Sequence, residues 1–157
     1  MVNTVGKDAT EVERAYLAGL IDADGAIMAV IERHKETKFR FRVRIIMKVT
    51  QHHTDVLNWL ENRFQCGKVV KNRNAYDWII RNQADIHRII IDITPYLQVK
   101  AKQSALALII LAARPSSKEE FLDLVRTTDA LSKLNVRSTN RRINTAAMVE
   151  EAFSRND

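Results

Sequence analysis

Residues 38–49 read Lys38-Phe39-Arg40-Phe41-Arg42-Val43-Arg44-Ile45-Ile46-Met47-Lys48-Val49, and their alternation decides the architecture. Odd positions are apolar throughout, and even positions are basic except Ile46. Successive side chains of a strand point to opposite faces, so a period of two predicts a strand with one oily and one cationic face. Upstream, Ala26–Glu32 is apolar and β-rich, and Arg33-His34-Lys35-Glu36-Thr37 supplies a polar hairpin tip. Further back, apolar and small residues run from Ala15 to Ile21 until Gly25 breaks them. Asp8 and Thr10 are candidate helix N-caps, with Glu11 and Glu13 three residues after each.

Downstream the pattern repeats more faintly. Val56, Leu57, Leu60 and Phe64 predict a helix over about Thr54 to Phe64, ended by Gly67. A second hairpin follows from Lys68 to Arg81, turning near Asn72-Arg73-Asn74, with Trp78 and Ile80 inward and Asp77 and Arg81 outward. Ile86, Ile89, Ile90 and Ile93 mark another helix, closed by Pro95. Helical patterns then cover Ala101 to Arg114, Ser117 to about Leu134 and Thr145 to Phe153, with Ser117 and Glu120 forming a capping box. The order predicts an α+β fold: a four-stranded antiparallel sheet with helices on one face, an αββαββα core and extra C-terminal helices. No linker divides it, so residues 1–157 are expected to be a single domain.

Composition narrows the function classes. A chain of 157 residues with 46% hydrophobic and 28% charged residues forms a core and is neither disordered nor low-complexity. A single cysteine, Cys66, excludes an internal disulfide and a multi-cysteine zinc site. No apolar run is long enough for a bilayer, and the first residues lack a signal-peptide core, so no membrane partner and an intracellular protein are expected. Twenty-five Lys and Arg against 19 Asp and Glu give a formal charge of +6, which suits a polyanion.

The basic strand face says which one. Cations on alternate residues stand about 6.6 Å apart and repel. A solvated strand face is the plain alternative, but such faces usually mix signs. Single-strand readers expose aromatics for stacking, whereas Phe39 and Phe41 lie opposite the arginines. The better reading is a β-ribbon in the major groove of duplex DNA, where Arg can read guanine. Nine residues from Ala26 to His34 reach ~30 Å, or ~9 base pairs, about one helical turn.

Residues 17–25, Leu17-Ala18-Gly19-Leu20-Ile21-Asp22-Ala23-Asp24-Gly25, lie between the first helix and first strand. They match letter for letter the motif of the LAGLIDADG homing endonucleases, and the single-motif subfamily encoded in ribosomal-RNA introns resembles this chain along nearly its whole length. The resemblance implies a saddle-shaped sheet, and a homodimer whose motif helices pack at the dyad. It also implies site-specific, metal-dependent hydrolysis of both strands of double-stranded DNA at a long, nearly palindromic site, leaving short 3′ overhangs. Small residues at Ala15, Ala18 and Gly19 would allow close approach of two helices, with Asp22 beside the seam. The acidic ends brought together there would need divalent cations.

Site residues follow from the same resemblance. It implies Asp24 as direct metal ligand, with the main-chain carbonyl of Ala23 beside it, while Asp22 caps or orients the helix end. Val49-Thr50-Gln51 resembles the family's strand-end glutamine, Gln51. Pro95 to Gln103 resembles the segment with the active-site lysine, Lys100, although Lys102 is close by. Mg²⁺ is the implied cofactor, with Mn²⁺ substituting and Ca²⁺ binding without supporting cleavage. DNA-facing positions would be Ala26, Met28, Val30, Glu32 and His34 on the first strand and Arg40, Arg42, Arg44, Ile46 and Lys48 on the second. Lys68, Asp77 and Arg81 join them from the second hairpin. Arg141 and Arg142, in a late basic stretch, would clamp phosphate or else form a solvated linker. Close relatives often carry another basic residue after the glutamine; here His52 or His53 serves the solvent pocket or caps the next helix. The alternative function is an intron RNA maturase or a non-cleaving DNA-binding regulator, against which the joint presence of Asp24, Gln51 and Lys100 argues. An organelle (chloroplast or mitochondrion) and a prokaryotic cytoplasm fit equally.

Overall fold

A computed structural model describes residues 9–135 and 144–156. Asp8, Arg141 and Arg142 therefore lie outside the described residues. Helix α1 (Glu11–Asp24) starts at Thr10, whose hydroxyl accepts the Glu13 N–H while the Glu13 carboxylate accepts the Thr10 N–H. Strands β1 (Gly25–Arg33) and β2 (Phe41–Gln51) follow, then α2 (Asp55–Phe64), β3 (Lys68–Asn72), β4 (Ala75–Ile80) and α3 (Gln83–Ile93). A 3₁₀ turn (Thr94–Tyr96) leads to α4 (Ala101–Ala112), α5 (Lys118–Leu134) and α6 (Ala146–Ser154). The expected α+β order is confirmed.

The strands form one antiparallel sheet in the order β1-β2-β4-β3. Its inward face carries Ile27, Ala29, Ile45, Met47, Val49, Trp78 and Ile80, all buried beneath the helices. The main core gathers these with Leu17 and Ile21 of α1, Leu57, Leu60 and Phe64 of α2, and the α3 isoleucines Ile86, Ile89, Ile90 and Ile93. A smaller, separate cluster of Ile31, Phe41, Phe121, Val125, Val149 and Phe153 sits under the far end of β1 and β2.

The pairing is uneven along the sheet. β1 and β2 pair from Gly25↔Val49 out to Arg33↔Phe41, but β4 reaches β2 only between Gln51 and Met47. The inner end of the sheet is therefore four strands wide, and the outer end is a two-stranded ribbon. β2 begins at Phe41, later than the alternation suggests, because the turn takes Phe39 and Arg40. Arg40 has φ 63°, a left-handed conformation that no regular strand accommodates. The unbroken run 38–49 is thus corrected to a turn followed by a strand.

The glycine that ends the motif has a packing reason. A Cβ on Gly25 would lie 2.7 Å from Ile21 Cα and 2.9 Å from the carbonyl oxygens of Ile21 and Lys48. The end of α1 is pressed directly onto the β2 backbone, and only hydrogen fits. Gly19 is the opposite case: a Cβ there meets nothing within 4 Å.

Candidate metal centre and nucleic-acid interface

Chain direction brings the acidic end of α1 to the inner end of the sheet. Asp24 is the last residue of α1 and is exposed, and Gln51 is the last of β2. Gln51 Nε2 donates to Asp24 Oδ2 at 2.8 Å. This bond fixes the carboxylate and leaves the glutamine carbonyl oxygen as a further acceptor. The carbonyls in the last turn of a helix have no intrahelical donor, which leaves that of Ala23 open to a ligand.

Asp22 has a different task. Its carboxylate accepts the main-chain N–H groups of Gln98 at 2.8 Å and Lys100 at 2.9 Å. Burial pushes Asp22 up, but the N–H groups of Gln98, Lys100 and Val99 and the Lys100 charge outweigh it, so its net shift is downward. In return, Lys100 Nζ donates to the Asp22 carbonyl at 2.5 Å. The two residues clamp the end of α1 to the segment entering α4. Burial lowers the Lys100 pKa, and the charges of Asp22 and Asp24 partly restore it. Asp24, Gln51, Lys100 and the exposed His52 line one open groove of ≈1220 Å³, which continues along β1. His52 Nδ1 lies 3.3 Å from the Asn74 carbonyl in the β3–β4 turn, and His53 is also exposed.

The sheet face opposite the core carries Met28, Val30 and Glu32 from β1 and Arg42, Arg44, Ile46, Lys48 and Thr50 from β2, all half-buried. Register places Ala26, Lys48, Ile79 and Lys68 in one row across all four strands. The basic ladder is more compensated than the sequence alone suggests. Arg42 Nε lies 2.5 Å from Glu32 Oε2 on the neighbouring strand, and Arg44 Nη2 donates to the Arg81 carbonyl at 2.8 Å. Arg40 stands on the hairpin turn beside half-buried His34, and exposed Arg81 lies one residue beyond β4.

Asp77 is the main departure from an outward-pointing residue. It belongs to the basic face but is only 5% exposed, because its neighbours close over it. Thr50 Oγ1 donates to one carboxylate oxygen at 2.5 Å, Asn72 Nδ2 to the other at 2.8 Å, and Lys48 Nζ stands 3.6 Å away. It orders the residues around it and offers little free surface of its own. The small-residue stripe on α1 also needs correction. Ala15 and Gly19 are exposed, but Ala18 is fully buried and faces the core, so no neighbouring molecule can reach it. The exposed stripe is Val12, Ala15, Tyr16, Gly19 and Ala23, at helical spacing.

Sequence reading missed Gln83, Asn135 and Asn144. Gln83 Oε1 accepts the Ile45 N–H, and its Nε2 donates to the Ile45 carbonyl, each at 2.8 Å. Asn135 and Asn144 donate to the β1 carbonyls of Ile27 and Ile31 at 2.8 and 2.7 Å. They close strand edges, and no periodicity announces a side chain that bonds a distant backbone.

The LAGLIDADG endonuclease family model matches residues 17–109, which include Asp22, Asp24, Gln51 and Lys100. The DNA endonuclease I-CreI of Chlamydomonas reinhardtii is 30% identical over 131 residues, covering 80% of each chain. The DNA endonuclease I-CvuI of Chlorella vulgaris is 31% identical over 108 residues, covering 67% of each. A crystal structure of I-CvuI with its target and 2 mM Ca superposes with a TM-score of 0.83 at 25% identity, covering 92% of this chain and 94% of that one. A second I-CvuI structure, with the I-CreI target and 2 mM Mg and its DNA not cleaved, matches equally well. The motif, the fold and these likenesses agree: the chain belongs to the LAGLIDADG endonuclease family.

Proposed function

We propose that this chain is one subunit of a homodimeric, divalent-metal-dependent DNA endonuclease of the homing type. It cuts both strands of double-stranded DNA at a long, nearly palindromic site and leaves short 3′ overhangs. The observation that carries the reading is the exposed Asp24 carboxylate, held by Gln51 at the mouth of the groove that follows β1.

The donors suit Mg²⁺, a hard cation that takes carboxylate and carbonyl oxygen and keeps several waters. Asp24 and the Ala23 carbonyl would hold it, with Gln51 orienting Asp24. One chain is too little for a closed site: among the described residues no three His, Cys, Asp or Glu side chains converge. A second copy docked along the exposed α1 stripe would bring a second Asp24 to the same place. The stripe is small where close approach needs it, at Ala15, Gly19 and Ala23, and within it Tyr16 packs edge-on against Trp59 at 5.7 Å. Two such sites, doubled by symmetry, read a nearly palindromic sequence.

When bound, the cations activate water and polarise the scissile phosphate. The chain does the rest. Arg42, Arg44, Lys48 and Lys68 meet the duplex with charge, while Met28 and Ile46 offer apolar contact to thymine methyl groups. The Asp22 clamp holds Lys100 at the groove, where its charge offsets that developing on the phosphate. Mn²⁺ should substitute for Mg²⁺, and Ca²⁺ should bind without supporting cleavage. A DNA-bearing organelle or a prokaryotic cytoplasm suits such an activity, and the single buried Cys66 needs no oxidising compartment.

Cleavage-site selection from a randomised duplex library, with Mg²⁺ and with EDTA, tests the reading. Cutting of both strands in Mg²⁺ alone is expected. Asp24→Asn should bind the selected duplex and lose at least about a hundredfold in cleavage rate. An Asp24→Asn protein that cuts as fast as the parent would overturn the assignment.

A further inference from the structure

The outer half of β1 and β2 is anomalous as a piece of β structure. Beyond Met47↔Ile80 it has two strands among the described residues, and an isolated two-stranded hairpin is marginal in water. Yet its edges are closed by side chains: Gln83 on the Ile45 side and Asn144 at the Ile31 carbonyl. Its tip is closed as well. The His34 N–H donates to the Arg40 carbonyl at 2.9 Å, and Thr37 Oγ1 bridges the carbonyls of His34 and Phe41 at 2.9 Å each. Arg40 is held in a left-handed conformation that needs such surroundings to persist.

What lies beneath the ribbon is aromatic and comes from the last helices. Phe39 stacks on Phe121 of α5 with ring centres 4.8 Å apart and planes inclined by 25°. Phe153 of α6 closes the group, 6.3 Å from Phe39 and 6.0 Å from Phe121. Lys38 Nζ adds a tie to the Ser116 carbonyl between α4 and α5 at 2.5 Å. This cluster belongs to the second core, apart from the one under the four-stranded end. It joins the underside of the ribbon to α5 and α6, and shares half-buried Val43 and Leu124 with the main core.

We infer that Phe39, Phe121 and Phe153 are positioning residues for DNA recognition: they hold the ribbon and its tip at a fixed angle, so discrimination at the outer base pairs of each half-site depends on them. The inference rests on the proposed DNA-cleaving function and names the part of the site it governs. Arg33, His34 and Arg40 stand at the far end of the ribbon, ~30 Å or ~9 base-pair steps from Asp24. Base-edge hydrogen bonds lose their value when donors swing by an ångström or two, so reading at that reach requires a stiff support. Side chains near Asp24 draw stiffness from the four-stranded end and are indifferent to the cluster.

The test is a binding and cleavage profile over all single-base variants of the selected site, for the parent, Phe39→Leu, Phe153→Leu and the ring-keeping Phe153→Tyr. The parent should discriminate by ~10-fold or more at outer positions. Both leucine variants should reduce this to ~2-fold while the inner profile stays within ~2-fold of the parent, and Phe153→Tyr should restore the outer profile. Equal loss at inner and outer positions, or an outer profile unmoved by loss of the rings, overturns the inference alone. A parent chain that selects no duplex overturns the endonuclease reading and this inference with it. Amide exchange without DNA gives a second readout: Phe153→Leu should speed exchange in Ala29–Arg33 by ~10-fold and leave Met47–Gln51 unchanged. Uniform acceleration across both strands counts against a local support.

Discussion

The two ends of one hairpin are built on different principles. At the inner end, β1 and β2 lie in a four-stranded sheet, Gly25 brings α1 onto the Lys48 carbonyl, and Asp22 clamps α4 through two main-chain N–H groups. The Asp22 carboxylate and the main chain itself grip main chain, and no atom can be added at Gly25. At the outer end the same strands run on as a ribbon whose edges are closed by amide side chains and whose underside rests on phenylalanine rings. Chemistry needs atoms placed to a fraction of an ångström, and the proposed metal centre lies where these contacts leave little slack. The recognition proposed for the ribbon would sit where side chains can be exchanged one at a time.

That contrast can be broken most sharply at the clamp. Asp22→Ala removes the acceptor for the main-chain N–H groups of Gln98 and Lys100 and loosens the segment that carries the lysine, although the carbonyl that takes its Nζ remains and Asp22 itself need never touch the phosphate. A single-turnover cleavage rate about a hundredfold lower is expected at saturating Mg²⁺, with duplex affinity little changed. An unaltered rate would mean that Lys100 is placed by something else.

Next comes the glycine pair of the motif. Gly25→Ala should cost about 1–3 kcal/mol in urea unfolding, because three backbone atoms stand within 3 Å of the new methyl and none is a movable side-chain end. Gly19→Ala, inside α1, should be neutral or stabilising by about 0.5–1 kcal/mol for a dilute single chain, since alanine is the better helix former. Equal losses at the two positions would erase the distinction between a tight inner contact and an open outer surface.

Asn144→Ala probes the ribbon and should cost about 1 kcal/mol by taking the amide donor from the Ile31 carbonyl. Faster amide exchange should be confined to the outer half of β1. The smallest effect concerns the α1–α2 staple, where Arg63 donates to both Glu13 carboxylate oxygens at 2.9 and 2.8 Å. The Arg63 bonds, with the Thr10 N–H, hold Glu13 down from 4.5 to about 2. A carboxylate lowered on folding stabilises above its unfolded pKa and loses that contribution as pH falls through the folded one. Glu13→Gln should therefore be slightly less stable than the parent at neutral pH. The gap should close between about pH 4.5 and 2, as followed by thermal unfolding.

Much of the inner end was legible in the sequence, because local patterns carry it. The alternation at 41–49, the capping box at Thr10 and the motif at 17–25 are all short-range signals. So was the placing of Asp24 at a helix end and Gln51 at a strand end. The outer end was less so. The turn at Phe39 and Arg40 continues the alternation letter by letter, and only the left-handed φ of Arg40 reveals the break. The compensation of Arg42 by Glu32 depends on cross-strand register, as does the burial of Asp77 under Thr50, Asn72 and Lys48. Ala18 was misplaced because small size suits a seam and a core equally, and helical phase alone turns it inward beside Leu17 and Ile21.

The bare notch at Gly19 has a kinetic consequence. No described residue of its own chain fills that space, so screens that score folding of dilute protein register side chains placed there only through helix propensity. If two copies pair as proposed, an effect on pairing would emerge through mass action, with catalytic output climbing as the square of enzyme concentration until pairing saturates. Bulkier residues at this position would push that crossover to higher doses, while the melting of a lone subunit would change only as far as helix propensity does.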